Sequence, residues 1–142
     1  MQLHLRSLAL LLLLPTLALG STESLPELKA KADAAHGGEQ AKLCLDYARR
    51  DLEAANDLYT KGDVEKAQAE IREVVEYAHK GADAAKSSGK RLKQTEIALR
   101  ELAKRMHDIA DSLSFEDRPP VRQAVDDIEG VRSDLLAKMF QK

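Results

Sequence analysis

Apolar residues recur at alternating three- and four-residue spacings in successive segments of this 142-residue chain, and this pattern constrains the fold more than any other feature. Residues three and four apart lie on the same side of an α-helix, so each apolar stripe predicts a helix that buries one face. The stripes run through Ala41, Leu45, Ala48, Leu52, Ala55 and Tyr59; through Val64, Ala67, Ile71, Val74, Ala78, Gly81 and Ala85; and through Leu92, Thr95, Leu99, Leu102, Met106, Ile109 and Leu113. A looser fourth stripe uses Val121, Val125, Ile128, Leu135 and Met139.

Helix-breaking residues separate the stripes at Gly62, Gly89 and the pair Pro119-Pro120. One continuous coiled coil would not place breakers at these points, and short links between helices favour antiparallel packing. The sequence therefore predicts an all-α fold, an antiparallel up-down four-helix bundle that follows a cleaved signal peptide. The predicted helices cover residues 39–59, 64–86, 90–113 and 119–140 of a bundle spanning 39–142.

Residues 1–20 have the pattern of a cleavable secretory signal: a weakly basic start, an apolar run from Leu8 to Leu19, and small residues before Ser21. Pro15 interrupts the run, which is shorter than the roughly 20 residues needed to cross a bilayer. We therefore expect an exported protein, periplasmic or secreted, with no stable membrane span after cleavage.

Residues 21–38 are expected to form a short helix or a flexible arm. Ser24 and Glu27 have the spacing of a capping box, and Pro26 fits the first turn of a helix. Gly37-Gly38 then interrupts the pattern and separates this segment from the first long helix.

The charge and cysteine content limit the classes of partner and the sources of stability. The formal net charge is −2, and charges of both signs are interleaved without a basic block, so nucleic acid is not an expected partner. Cys44 is the single cysteine and cannot form an internal disulfide. It is expected to be a small, partly buried side chain beside the first stripe.

One segment resembles a single tetratricopeptide-repeat hairpin, over residues 51–79. The resemblance is carried by Ala55, Leu58, Tyr59, Gly62, Asp63, Val64, Glu65, Lys66, Ala67 and Ile71. Asp51 stands where the family usually has a large aromatic residue, and His79 stands where its closing proline falls. The rest of the chain shows no such resemblance. The resemblance implies a helical scaffold that binds peptides or proteins in a groove.

Two residue pairs raise the alternative of a small metal- or haem-binding bundle. Glu76 and His79 have the Glu-x-x-His spacing of di-iron bundles but lie beside the stripe, so an ion pair between Glu76 and Lys80 is the expected role. Met106 and His107 combine two soft or borderline ligands, yet adjacent residues point about 100° apart on a helix. No cofactor is therefore expected.

The chain has no nucleotide-binding glycine loop and no nucleophile motif, so a non-enzymatic function is expected. We predict a protein-binding or scaffold module, and self-association is a further alternative. Tyr47, Tyr59 and Tyr77 on the first hairpin are the candidate contact residues. Phe115 and Phe140 are expected to close the ends of the bundle, with an exposed partner contact as the alternative.

Overall fold

The computed structural model describes residues 23–141, so the predicted signal peptide lies outside the described residues. Within this range the chain forms five α-helices and a single 3-10 turn, and it contains no β-strand. The predicted all-α class is confirmed. The helices are α1 (Leu25–Ala34), α2 (Gly37–Thr60), α3 (Val64–Ser88), α4 (Leu92–Ser112) and α5 (Arg118–Met139), with the 3-10 turn at Phe115–Asp117.

The helix ends follow the local chemistry of the sequence. The Ser24 side chain accepts a hydrogen bond from the backbone N–H of Glu27 at 3.3 Å, which caps α1 as its spacing predicts. Gly62 and Gly89 have φ of +82° and +69° at the ends of α2 and α3, a left-handed conformation that glycine adopts without a Cβ clash. Asp63 precedes α3 but makes no side-chain capping bond.

Helices α2 and α3 form an antiparallel hairpin, and α4 and α5 form a second one. The ring of Tyr47 in α2 contacts that of Tyr77 in α3, and Glu96 in α4 pairs with Arg132 in α5. The hairpins lie side by side with α2 next to α4 and α3 next to α5. Across this junction α2 and α4 run parallel, because α2 contacts α4 near both Ala41 and Glu53 in the same order along the two helices. The predicted antiparallel packing therefore holds within each hairpin but is wrong between α2 and α4.

The core lies between these four helices and contains the apolar stripes. Its largest fully buried side chains include Leu52, Val74, Leu99, Met106, Ile109, Val121, Ile128 and Leu135. The first hairpin is packed mainly through small residues, since alanines 41, 48, 55, 67, 78, 82 and 85 are all 0% exposed. Close approach of α2 and α3 follows from the small size of these side chains.

Two aromatic residues differ from the expectation that they close the ends of the bundle. Phe115 and Phe140 are each 78% exposed. Phe115 lies in the link before α5, and Phe140 follows its last turn, so neither is covered by a neighbouring helix. Among residues 23–141, no helix is both long enough and apolar enough to cross a membrane.

Candidate functional site

Helix α1 covers the hairpin formed by α2 and α3 on its outer side. Leu28 is 5% exposed and Ala32 is fully buried, so α1 docks through an apolar face. The Gln40 side-chain amide donates a hydrogen bond to the carbonyl of Ala32 at 3.2 Å, which anchors the end of α1 to the start of α2. Residues 21–38, for which the sequence allows a helix or an arm, thus include a docked helix.

Charged contacts hold α1 against α3. The Lys29 ammonium donates to Glu73, and the Lys80 ammonium donates to Asp33 Oδ1 at 2.6 Å. The Tyr77 hydroxyl donates to the same Asp33 oxygen at 2.8 Å. The hydrogen bond from Lys80 is the largest cause of a lowered pKa at Asp33. The predicted pairing of Lys80 with Glu76 is therefore wrong, because docked α1 places a carboxylate closer to the ammonium.

The three candidate contact tyrosines lie in the interior. Tyr47, Tyr59 and Tyr77 are 3%, 9% and 3% exposed, so their rings do not form an open surface. The rings of Tyr47 and Tyr77 lie 4.6 Å apart beneath α1, tilted by 58°. Tyr59 lies apart from them, and its buried hydroxyl has no hydrogen-bond partner. Burial is the main cause of a raised pKa at all three hydroxyls.

An acidic cluster lies next to Tyr47, where α1 meets the hairpin. It consists of Asp51 from α2 and Glu70 and Glu73 from α3, whose carboxylate oxygens lie within 4.8 Å of one another. Asp51 is 1% exposed, and neither of its oxygens has a hydrogen-bond partner. Burial, and then contact with Glu70, raises the pKa of Asp51 to about 9. We define these three residues as the acidic cluster.

The acidic cluster forms part of the wall of a cavity of about 620 Å³ that continues the line of α1 along the hairpin. We call this cavity the outer groove. Its apolar side is formed by side chains of both α1 and α2, and its charged side by the acidic cluster and two lysines. The lining residues are Leu25, Pro26, Lys29, Tyr47, Asp51, Ala54, Asp57, Leu58, Lys61, Glu70 and Glu73.

A second cavity, of about 230 Å³, lies between α2 and α4 and is lined in part by Leu45, Leu52 and Ala98. Arg105 spans it by donating two hydrogen bonds to Glu53, at 2.6 and 2.9 Å. This paired Arg-carboxylate contact joins the two hairpins. The second cavity is smaller and offers no unpaired buried polar atom among its lining residues.

The residues of the predicted metal or haem alternative do not converge on one point. Glu76 and His79 are exposed on α3. Met106 is fully buried in the core, whereas His107 is exposed, with its Nδ1 3.4 Å from Asp111. The only group of three or more potential metal ligands in residues 23–141 is the acidic cluster, which contains none of these residues.

Sequence reasoning missed the acidic cluster, although a signal for it exists. A second stripe on α2, beside the first, runs through Cys44, Tyr47, Asp51, Ala54 and Leu58 at the same alternating spacing. A carboxylate inside an otherwise largely apolar stripe marks a buried charge. Its partners on α3 could not be identified from spacing alone, because the meeting of Asp51 with Glu70 and Glu73 depends on how the two helices are aligned.

Comparison with protein-family models, curated proteins and solved structures found no match for this chain.

Proposed function

We propose that this chain is an exported, non-enzymatic protein that acts as a protein-binding or scaffold module, built as a four-helix bundle of two antiparallel hairpins with α1 attached to it. The leader-like pattern of residues 1–20 supports export to the periplasm or the medium. The two side-by-side hairpins support the bundle architecture.

The observation that carries the proposal is the docking of α1 on the outer face of the first hairpin. This face accepts an amphipathic helix through a buried leucine and alanine and through ion pairs at its edges. Helix-in-groove recognition uses the same combination of apolar anchors and flanking charges. The resemblance of residues 51–79 to a tetratricopeptide-repeat hairpin implies the same kind of use.

The outer groove extends this surface beyond the start of α1. Leu58 and Ala54 are half-buried and supply apolar contact area, while Glu70 and Glu73 place negative charge at the edge. The partner that fits is a protein segment with apolar anchors and a basic residue, similar in character to α1 itself. Tyr47 and Tyr77 support this surface from beneath instead of forming it.

Two matched variants test the groove. Leu58→Gln places a polar group in the outer groove, and Ala98→Gln places the same group in the cavity between α2 and α4. Pull-down from the native envelope or medium should retrieve a partner with wild type and Ala98→Gln but not with Leu58→Gln. Retrieval of the same protein by all three chains would contradict the proposal, as would a chain that retrieves nothing.

Light scattering on the purified chain separates partner binding from self-association. The proposal expects a monomer of 15.7 kDa, or less after leader removal. A concentration-dependent dimer that Leu58→Gln abolishes would instead identify a second copy as the occupant and contradict a heterologous partner.

A further inference from the structure

We propose that the acidic cluster of Asp51, Glu70 and Glu73 binds a hard divalent cation, with Ca²⁺ as the best-fitting ion. This inference rests on the buried, unpartnered carboxylate of Asp51 and not on the protein-binding proposal, although Glu70 and Glu73 also line the outer groove. The metal titrations use the purified chain alone, so their failure would leave the protein-binding proposal unaffected.

The first observation is the placement of the ligands. Each of the three residues offers a carboxylate oxygen, and these oxygens lie within 4.8 Å of one another. Two oxygens that each lie about 2.4 Å from one Ca²⁺ ion are at most about 4.8 Å apart. The cluster therefore satisfies the distance condition for a shared ion.

The second observation is the state of Asp51. Its side chain is 1% exposed, and both carboxylate oxygens lack a hydrogen-bond partner although they face two other carboxylates. A buried carboxylate without a partner is costly, and proteins satisfy such a group by pairing it or by letting it coordinate a metal. A cation between Asp51 and Glu70 supplies the missing partner.

The neighbouring basic side chains do not neutralise the whole acidic cluster. The cluster contains three carboxylates, and the Lys29 ammonium neutralises one of them through Glu73. Lys61 also lines the outer groove, but no ion pair or hydrogen bond joins it to the cluster. A divalent cation would displace the proton that the raised pKa of Asp51 retains at neutral pH, and the carboxylates of Asp51 and Glu70 would then both bind the ion.

The ligand chemistry selects the class of ion. Carboxylate oxygens without imidazole or thiolate suit Ca²⁺, Mg²⁺ and Mn²⁺ and disfavour softer metals. Ca²⁺ tolerates irregular geometry and can take further oxygens from water in the outer groove, whereas Mg²⁺ demands a near-ideal octahedron. Three protein carboxylates with water ligands predict a Kd of about 10⁻⁴ to 10⁻³ M, in the range of extracellular Ca²⁺ modules.

Thermal unfolding of the metal-stripped chain tests the site. Addition of 10 mM CaCl₂, against NaCl of equal ionic strength, should raise the Tm of wild type by about 5 °C. Asp51→Asn and Glu70→Gln should lose this rise. Glu76→Gln, an exposed glutamate on the same helix, should keep it and serves as the charge-matched control.

Lys29→Met tests the same site with the opposite expected result, tighter binding of Ca²⁺. It removes the ammonium that competes for Glu73, so the Kd for Ca²⁺ measured by calorimetry should fall about tenfold. A purely structural role for the cluster predicts no such gain.

Terbium luminescence tests the site in the wild-type chain without any substitution in the cluster. Tb³⁺ is a hard cation that occupies Ca²⁺ sites, and Tyr47 lies in the wall of the same cavity as a sensitiser. Excitation of tyrosine should give terbium emission that Ca²⁺ abolishes and that Tyr47→Phe weakens.

The proposal is overturned if 10 mM Ca²⁺, Mg²⁺ and Mn²⁺ all leave the wild-type Tm unchanged, which would leave Asp51 and Glu70 as a pair that shares a proton. It is equally overturned if Asp51→Asn keeps the full rise. Should Asp51→Asn fail to fold, Glu70→Gln and the terbium signal of wild type still decide the question.

Discussion

Gly81 of α3 packs directly against Leu45 of α2, and a Cβ at position 81 fits between the two helices only if the Leu45 side chain moves. This Cβ would overlap the end of the Leu45 side chain and would lie 3.1 Å from Cys44 Cβ and 3.2 Å from the Ala41 carbonyl oxygen. The close packing of α2 against α3 therefore depends on the missing side chain at Gly81 as well as on the alanines of the hairpin.

Gly81→Ala should destabilise the protein by about 1–3 kcal/mol, because overpacking forces α2 and α3 apart. Gly130→Ala is the matched control, since a Cβ at this position in α5 meets open space. It should stabilise by about 0.5–1 kcal/mol through better helix propensity. Urea unfolding of both variants measures the difference, and equal effects of the same sign would refute the close packing at Gly81.

Asp33 should make the docking of α1 depend on pH. Hydrogen bonds from Lys80 and Tyr77 lower its pKa in the folded state. A lowered pKa contributes stability that is present above the pKa of the unfolded chain, about 3.9, and is lost as the pH falls below it. The stability difference between wild type and Asp33→Asn should therefore be larger at pH 7 than at pH 3.

Urea midpoints at the two pH values measure this difference. Asp83→Asn, an exposed position on α3, controls for general effects of removing a carboxylate. A gap between wild type and Asp33→Asn that stays constant from pH 7 to pH 3 would show that the contact with Lys80 adds nothing to stability.

Arg132 and Glu96 form an ion pair between α4 and α5, in which Arg132 Nε donates to Glu96 Oε1 at 2.8 Å. Glu96 is only 8% exposed, so Arg132→Met should leave a nearly buried carboxylate unpaired and lower the free energy of unfolding. Arg122→Met, at an exposed position of the same helix, should change stability by less than about 0.5 kcal/mol. A double-mutant cycle with Glu96→Gln isolates the pair, and a coupling near zero would argue against it.

Cys44 should be unreactive in the folded chain. It is 0% exposed, and burial raises the pKa of its thiol to about 11. Alkylation at neutral pH should be roughly 100-fold slower than in denaturant, because the thiolate forms only when the protein opens. Comparable rates in both states would mean that the thiol is open to solvent.

The apolar stripes and the glycine and proline breakers were enough to predict an all-α fold. Both signals are local: the 3.6-residue period places a face on a helix, and residues such as Gly62 end it. The capping of α1 by Ser24 follows from sequence for the same reason. The burial of Met106 and the exposure of His107 also follow from their angular positions on one helix.

Contacts between helices could not be predicted in this way. Docked α1 supplies Asp33 as the partner of Lys80 and covers Tyr77. From the sequence, Lys80 was expected to pair with Glu76, and Tyr77 was a candidate contact residue. Phe115 is exposed because no helix packs over it. The residues next to Phe115 in the sequence cannot predict this.

The sequence by itself determined the helices, their breaks and the faces they bury, because these depend on neighbours three and four residues apart. The tertiary structure decided that α1 lies across the first hairpin and that Asp51 meets Glu70 and Glu73 beneath it. Those carboxylates belong to two helices, and their distance depends on the alignment of α2 with α3. That alignment is set by packing at contacts such as Gly81 with Leu45, so the acidic cluster exists only in the folded chain.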